Sequence, residues 1–544
     1  MPPFSREHSL AQLRSTSYDV VVIGGGMTGT GVALDAASRG MTVALIDAGD
    51  WAQGTSSKSS KMVHGGLRYL QQKEFRLVYE NLRERQRLLE NAPHLVRPLP
   101  FLIPLFGKNG VVSATVTKAI GAALRLYDIT GGWRIGKRYR RITKEQALAD
   151  FPSLRVDDLV AGFLYFDARG DDARVALALA RSAVDHGAHA ANYVRALSFE
   201  RGSRDQVTGV RVRDELSGEE FIVAARCVVN ATGVWADSVI SMGTQRDSHS
   251  ITPAKGVHVT LPQSKLDARV AAVVPVPGDR RSVFVVPFED EPYTFVGTTD
   301  TAYDGTLDDP LCDEDDVTYL LRAVNAATSS SVGPEDITGV WAGLRPLLAP
   351  AGGEKLSERT ADLSRRHAVT DAGNGVVHIT GGKWTTYREM AEDTVDALKP
   401  YVGRRGACRT KRLRLHGFGP WRPTTPLETH LYRRYGEDAL AILHLIDANP
   451  AWGDVAIEGQ SYVVAEFIYA AREEMATSLI DLLTRRTRAH LHDARTTARA
   501  AQRIAAAVAP DMGWDVERIA HEVSSYRELV RREFSMAGLP LGEL

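Results

Sequence analysis

The sequence predicts an α/β chain that opens with a βαβ unit, carries an inserted β-rich region and ends in a helical domain. Three observations carry this. A glycine-spaced turn, Gly24 to Gly29, joins an apolar run to a helix-compatible stretch. The segments between Val257 and Thr299 are β-rich and punctuated by a short acidic turn. Beyond Pro426 the signals are almost all helical.

Size and composition set the frame. At about 100–200 residues per domain, 544 residues suggest two to four domains. Hydrophobic residues at 44% and charged residues at 24% suit a globular chain. A net charge of -1 leaves no global field to attract nucleic acid. Cys227, Cys312 and Cys408 are far apart, so neither a disulfide framework nor a zinc site is expected, and no metal. Each reads better as a small buried hydrophobe in a reducing cytoplasm. The N-terminus lacks the apolar core of a signal peptide. No apolar run approaches the ~20 residues needed to span a bilayer. The chain is expected to lie on a membrane at most.

The elements follow in order. Val20 to Ile23 reads as a buried parallel strand and Thr30 to Arg39 as a helix stopped by Gly40. Thr42 to Ile46 is a second strand ending at Asp47. Phe75 to Glu90 has helical spacing, after which Pro93, Pro98, Pro100 and Pro104 break the chain. Val111 to Tyr127 is an apolar helix with Lys118 and Arg125, and Ala173 to His186 an Ala-rich one. Strands are expected at Val207 to Val212 and Phe221 to Val229. RSVFVVPFED and EPYTFVGTTD look like an antiparallel pair. Val376 to Ile379 leads into a glycine pair and a helix, Thr385 to Leu398. The basic stretch around Arg404 to Arg414 reads as a linker or edge.

Five motifs carry chemistry. Gly24, Gly26 and Gly29 form GxGxxG between strand and helix: one glycine for the tight turn, one for close approach of a pyrophosphate, one for helix–strand packing. The helix N-terminus favours phosphate, and Asp47 ends the next strand where an acid binds ribose hydroxyls. This motif alone does not separate FAD from NAD. The segment Thr55 to Leu70 leans toward FAD. Thr55, Ser56, Ser57, Ser59 and Ser60 offer small hydroxyls, Gly65 and Gly66 let backbone lie against a flat ring, and Arg68 and Tyr69 follow. A polar loop feeding a helix explains the serines individually as well.

The third motif is Val228 to Asp237, where a strand ends in Ala231-Thr232-Gly233, small enough for backbone to contact a dinucleotide. Asn192 to Val194 could reach adenine or simply pack in the core. The fourth sets Arg345 in GLRPL, a planar fork suited to phosphate or carboxylate. The last is Gly381-Gly382 before Lys383 and Thr385, which repeats the anion-binding geometry. His258, in KGVHV, is either a polar core residue or a catalyst.

Together these motifs resemble the FAD-dependent glycerol-3-phosphate dehydrogenase family, of the aerobic, quinone-linked type. VVVIGGGMTGTGVALDAASRG, TSSKSSKMVHGGLRYL, YFDARGDDARVALALA, NATGVWAD, KGVHV, VGTTD, GLRPL, GGKWTTYREMAED and EFIYAAREEMATSLIDLLTRRTR match in the family's order along nearly the whole chain. HGGLRYL and GGKWTTYR are the most specific. Asp47 departs from the family, which usually carries Glu there.

The resemblance implies a Rossmann-like FAD-binding domain of the D-amino-acid-oxidase type, an inserted β-sheet substrate domain and a helical C-terminal domain. The boundaries expected are 17–105, 165–254 and 340–399 for the flavin domain, 106–164 and 255–339 for the insert, and 400–544 for the helical domain. It implies noncovalent FAD held by Gly24, Gly26, Met27, Thr28, Gly29, Asp47, Thr55, Ser56, Ser60, His64, Gly65, Gly66, Leu67, Val194, Ala231, Thr232, Gly233, Gly382, Lys383, Trp384 and Thr385. Glycerol 3-phosphate would meet Arg68, Tyr69, Arg345 and Lys383. His258 is the better base, since Arg stays protonated, and Arg345 would steady the alkoxide.

Further partners implied are a membrane quinone and an anionic lipid surface at the inner face of the cell membrane, with a homodimer left open. The docking candidates are Val111 to Tyr127 and Arg404 to Arg414, each equally readable as packed helix or solvated linker. An oxidase of the same fold, using oxygen on glycerol 3-phosphate or an amino acid, is the rival reading. A flavin-binding scaffold without catalysis is a third.

Overall fold

Two sheets, each assembled from pieces scattered along the chain, position everything else. The computed structural model describes residues 3–67, 69, 74–107, 113–244, 249–279, 281–349 and 366–544, with backbone alone for 114, 116 and 244.

The first sheet has eight strands among the described residues. Tyr18–Ile23 lies parallel between Val43–Ile46 and Glu220–Asn230. His189–Ala191 and Val376–Gly381 extend the parallel set on either side. The central strands are apolar along their length because both faces are covered: Tyr18–Ile23 and Val43–Ile46 are buried at every position. Helices Met27–Ser38, Asp172–Asp185 and Tyr387–Ala397 cover one face. The antiparallel pair Val194–Arg201 and Val207–Asp214 turns back over the other.

The second sheet has ten strands among the described residues. The pair expected from RSVFVVPFED and EPYTFVGTTD is present as Ser282–Pro287 against Tyr293–Gly297. Ile251–Pro262 runs antiparallel to both Tyr293–Gly297 and Gly339–Leu348. The sheet also takes in segments on either side of the insert boundaries expected from sequence. Val96–Phe106 pairs along its whole length with Leu159–Gly170, and Gly339–Leu348 belongs here with Arg345.

Val96–Phe106 corrects the expectation that its prolines break the chain. Pro98, Pro100 and Pro104 share one parity, so their missing N–H groups fall on one edge of the strand. The Leu159–Gly170 strand bonds to the other edge, and on the far side only Phe101 and Leu102 pair, with Ala271 and Ala272. A helix that sequence reading missed, Arg6–Ser15, precedes the first strand. Ser5 caps it, and Arg6 ties it to the carbonyls of Asn192 and Tyr193 and to Asp214.

The C-terminal helices divide between two cores: Leu431, Tyr435, Ala439 and Ile442 pack with Val463, Ala465 and Tyr469 in a small cluster of their own, and the rest join the second sheet. Tyr462, Phe467, Leu482 and Tyr526 share one continuous hydrophobic cluster with Val257, Val259, Leu261 and Val340 of the second sheet. Helices Val464–Glu473, Ala494–Met512 and Val516–Met536 therefore form the underside of that sheet.

Candidate active site

A cleft of about 1750 Å³ opens between the two sheets. Its floor is the glycine turn. Gly24 has φ +114°, and a Cβ there would lie 2.6 Å from the Ala231 carbonyl oxygen, so the turn and the Ala231-Thr232-Gly233 strand end touch backbone to backbone. A Cβ at Gly29 would run into the Gly24 carbonyl. Gly29 is thus behind the turn, packing helix on strand, and does not line the cleft. Gly26, Met27 and Thr28 do, at the N-terminus of helix Met27–Ser38, whose first turn carries no acidic residue.

Asp47 lines the cleft, its carboxylate accepting N–H bonds from Gly25 at 2.5 Å and Gly49 at 2.8 Å. Burial pushes the carboxyl up to about 6, against those two hydrogen bonds. Val194 is buried outside the cleft, donating its N–H to the Asp47 carbonyl at 2.7 Å. Its neighbours Arg195 and Ala196 reach the cleft instead.

The hydroxyl-rich segment runs along one wall. Thr55, Ser56 and Ser60 line it, and Ser56 Oγ accepts from Met27 N–H at 2.9 Å. The segment is held on the strand that carries Arg345: Thr55 donates to the Leu344 carbonyl at 2.6 Å and Trp341 Nε1 to the Ser59 carbonyl at 3.2 Å. His64, Gly66, Leu67 and Tyr69 line the cleft beyond it. Gly65 faces away. Its N–H donates to Tyr127 Oη at 2.9 Å, its carbonyl accepts from Asn81 at 2.9 Å, and its Cα side meets Leu82. Tyr127 in turn donates to Asp167, which pairs with buried Arg85 at 2.5 Å. Arg68 lies outside the described residues.

Gly382, Lys383, Trp384 and Thr385 close the cleft opposite. Lys383 Nζ sits 3.7 Å from the centre of the Tyr69 ring, so two residues assigned to substrate are in contact. Arg345 lines the cleft with its guanidinium braced by the Lys255 carbonyl at 3.1 Å, Asp300 at 3.1 Å, Thr298 Oγ1 at 3.1 Å and the Thr299 carbonyl at 3.0 Å. Gly256 makes room for it.

His258, read from sequence as either a polar core residue or a catalyst, lies behind the cleft wall and not in it. It is buried, stacked on Trp341 at 4.7 Å, and meets the cleft only at second hand, with Nε2 2.8 Å from Ser60 Oγ. Burial, with Lys61 and Arg345 adding to it, holds its pKa well below the usual imidazole range, so the ring is neutral. Sequence reading also missed Asp172 and Lys61. Ser59 donates N–H and Oγ to Asp172 at 3.0 and 2.6 Å, and Lys61 pairs with Asp172 at 2.9 Å. The GDD run was the available signal, but nothing local pointed it at the serines.

A sequence profile described as FAD dependent oxidoreductase matches residues 19–388, and one described as C-terminal domain of alpha-glycerophosphate oxidase matches 377–519. A glycerol-3-phosphate dehydrogenase 2 of Mycobacterium bovis is 39% identical, over 98% of this chain and 91% of its own length. The chain belongs to the FAD-dependent glycerol-3-phosphate dehydrogenase family. The mitochondrial glycerol-3-phosphate dehydrogenase of Homo sapiens is 35% identical, over 98% of this chain and 76% of that one. The crystal structure of the glycerol-3-phosphate dehydrogenase from Bacillus halodurans complexed with FAD superposes with a TM-score of 0.76, at 28% identity and 99% coverage of both chains.

The cleft of this dehydrogenase-family chain fits FAD. The glycine floor admits backbone contact, the helix N-terminus is free of acids, and the volume exceeds the ~300–1,000 Å³ of a drug-sized site.

Proposed function

We propose that the protein oxidises sn-glycerol 3-phosphate to dihydroxyacetone phosphate and hands the electrons to a membrane quinone. The observation that carries this reading is the convergence of Arg345 and Lys383 on one cleft that also contains the dinucleotide cradle. Two cations beside a flavin site suit a small phosphorylated alcohol.

Bound FAD supplies the acceptor for the hydride from substrate C2. The chain's own residues do the rest. Lys383, over the Tyr69 ring, and Arg345, braced by Asp300, hold the phosphate and steady the developing alkoxide. Fixing the guanidinium beforehand removes the reorganisation that a free side chain would need. The C2 hydroxyl proton passes to neutral His258 through the Ser60 hydroxyl. Gly24, Gly26, Thr28 and Thr232, which line the cleft, would hold the pyrophosphate region, and Asp47 the ribose.

Among the described residues no helix is long and apolar enough to cross a membrane. We place the protein on the cytoplasmic inner face, docked through helix Ala114–Thr130. One side of that helix packs through Leu124 and Tyr127, while Leu126, Ile129 and nearby Trp133 are 38%, 68% and 54% exposed. The other candidate, Arg404 to Arg414, is engaged with its own chain: Arg405 pairs with Asp19 and Lys411 with Glu392.

Anaerobic mixing of the yellow protein with glycerol 3-phosphate tests the reading. Flavin absorbance near the visible maximum should bleach with glycerol 3-phosphate and stay unchanged with glycerol or amino acids. Bleaching by an amino acid alone would move the protein to amine oxidation.

A further inference from the structure

The C-terminal domain sends a run of arginines, Arg485, Arg486 and Arg488, into the nucleotide domain. Arg486 grips Asp50 with both terminal nitrogens, at 2.7 and 2.8 Å, and Arg485 Nε adds a third bond at 2.6 Å. Asp50 is fully buried, three residues beyond Asp47 in the turn that faces the cleft. Burial alone would raise its carboxyl, but Arg486 and Arg485 outweigh that and hold it ionised, well below the usual range. Arg488 reaches the other cleft segment, donating to the Ser57 carbonyl at 2.5 Å and to Asp172 at 3.0 Å. Asp172 holds Ser59 by two further bonds, and Ser59 and Ser60 line the cleft. The two segments contacting these arginines thus supply the acid and the hydroxyls expected at the ribose and the flavin.

We propose that the C-terminal domain is part of the cofactor site, with Arg486 and Arg488 as positioning residues that set the Asp47–Asp50 turn and the Ser57–Ser60 segment for FAD. The charge pattern supports this. The buried carboxylates Asp50 and Asp172 are each met by a guanidinium from the C-terminal domain, Asp50 by Arg485 as well and Asp172 beside Lys61, so removing one arginine leaves a buried cluster one positive charge short. A domain whose only task was to bury the underside of the second sheet would not need ion pairs to the far side of the cleft. The inference rests on FAD occupying the cleft.

The test uses the full chain. Arg488→Gln, and Arg488→Gln combined with Asp172→Asn to keep the buried charges balanced, are compared with Arg181→Met. Arg181 lies further along the Asp172–Asp185 helix and bridges the same two domains through Asp438 at 2.9 Å and Tyr469 at 2.8 Å, without touching either segment. The readouts are FAD rebinding to apoprotein, the visible circular dichroism of bound flavin, and the apoprotein melting temperature. Both Arg488 variants should bind FAD at least tenfold more weakly and alter the flavin spectrum. Arg181→Met should lower the melting temperature with wild-type FAD affinity. Wild-type FAD binding in the Arg488 variants overturns the proposal, as does equal loss of FAD in Arg181→Met at equal loss of melting temperature. Full FAD content in Gly26→Val would instead remove the cleft assignment beneath it.

Discussion

Arg345 is the side chain on which substrate recognition turns. It contacts four oxygens of its own chain, so its position is fixed before substrate arrives. Arg345→Ala should cost about 2–5 kcal/mol in kcat/KM, the scale for truncating one partner of a buried charge pair. Arg345→Lys should recover part of it, because a point charge replaces the fork. FAD content should be unchanged, and steady-state kinetics with flavin quantitation reads both. Gly26→Val should do the opposite and empty the site of flavin. Its side chain would press on Ser56 Oγ, which caps the Met27 N–H, and would fill the space a pyrophosphate needs. Released flavin per polypeptide measures this. His258 gives a pH signature. Its folded pKa lies well below the ordinary 6.5, so below that value the unfolded chain binds a proton that the native protein refuses. Native stability therefore falls as pH drops below about 6.5, until the folded pKa is reached. Denaturant midpoints at about pH 7.5 and 5.5 should diverge more for the wild type than for His258→Gln. Parallel losses would mean that His258 titrates normally.

At the scale of elements, the docking helix makes a separable prediction. Ile129→Glu with Trp133→Glu changes side chains that project outward, while Tyr127 on the buried side keeps its bond to Gly65. Flotation with anionic vesicles should fall, and reduction of a soluble dye should stay at the wild-type rate. Undiminished flotation would move the contact elsewhere. Elements also show where sequence was legible. The βαβ unit could be read because each glycine answers a local steric demand. The Ser282–Pro287 and Tyr293–Gly297 pair could be read from alternation and a short turn. Val96–Phe106 could not, because its prolines spoil the local signal and only the long partner strand explains them. Helix Arg6–Ser15 could not either, being tied down by residues far along the chain.

For the whole molecule the same division holds. Most residues assigned to the cleft from motifs do line it, from Gly24 to Thr385: those at Gly24, Asp47, Ala231 and Gly382 follow strand ends that the parallel sheet brings to one edge, and those from Thr55 to Leu67 form a loop held against the second sheet. What stayed hidden was everything that depends on two distant segments meeting. The Ser60–His258 contact, the Asp300 brace on Arg345 and the Asp50–Arg486 grip join parts of the chain that no local pattern connects. The central claim is a path from a phosphorylated alcohol through flavin to a lipid-dissolved acceptor, and its last step is the one to measure. Enzyme reduced anaerobically with stoichiometric glycerol 3-phosphate is mixed in a stopped-flow with either a quinone analogue in anionic vesicles or air-saturated buffer. Recovery of flavin absorbance should be fast with the quinone, faster with vesicles than without, and slow with oxygen. Reoxidation by oxygen as fast as by quinone, with no effect of lipid, would make the protein a glycerol 3-phosphate oxidase.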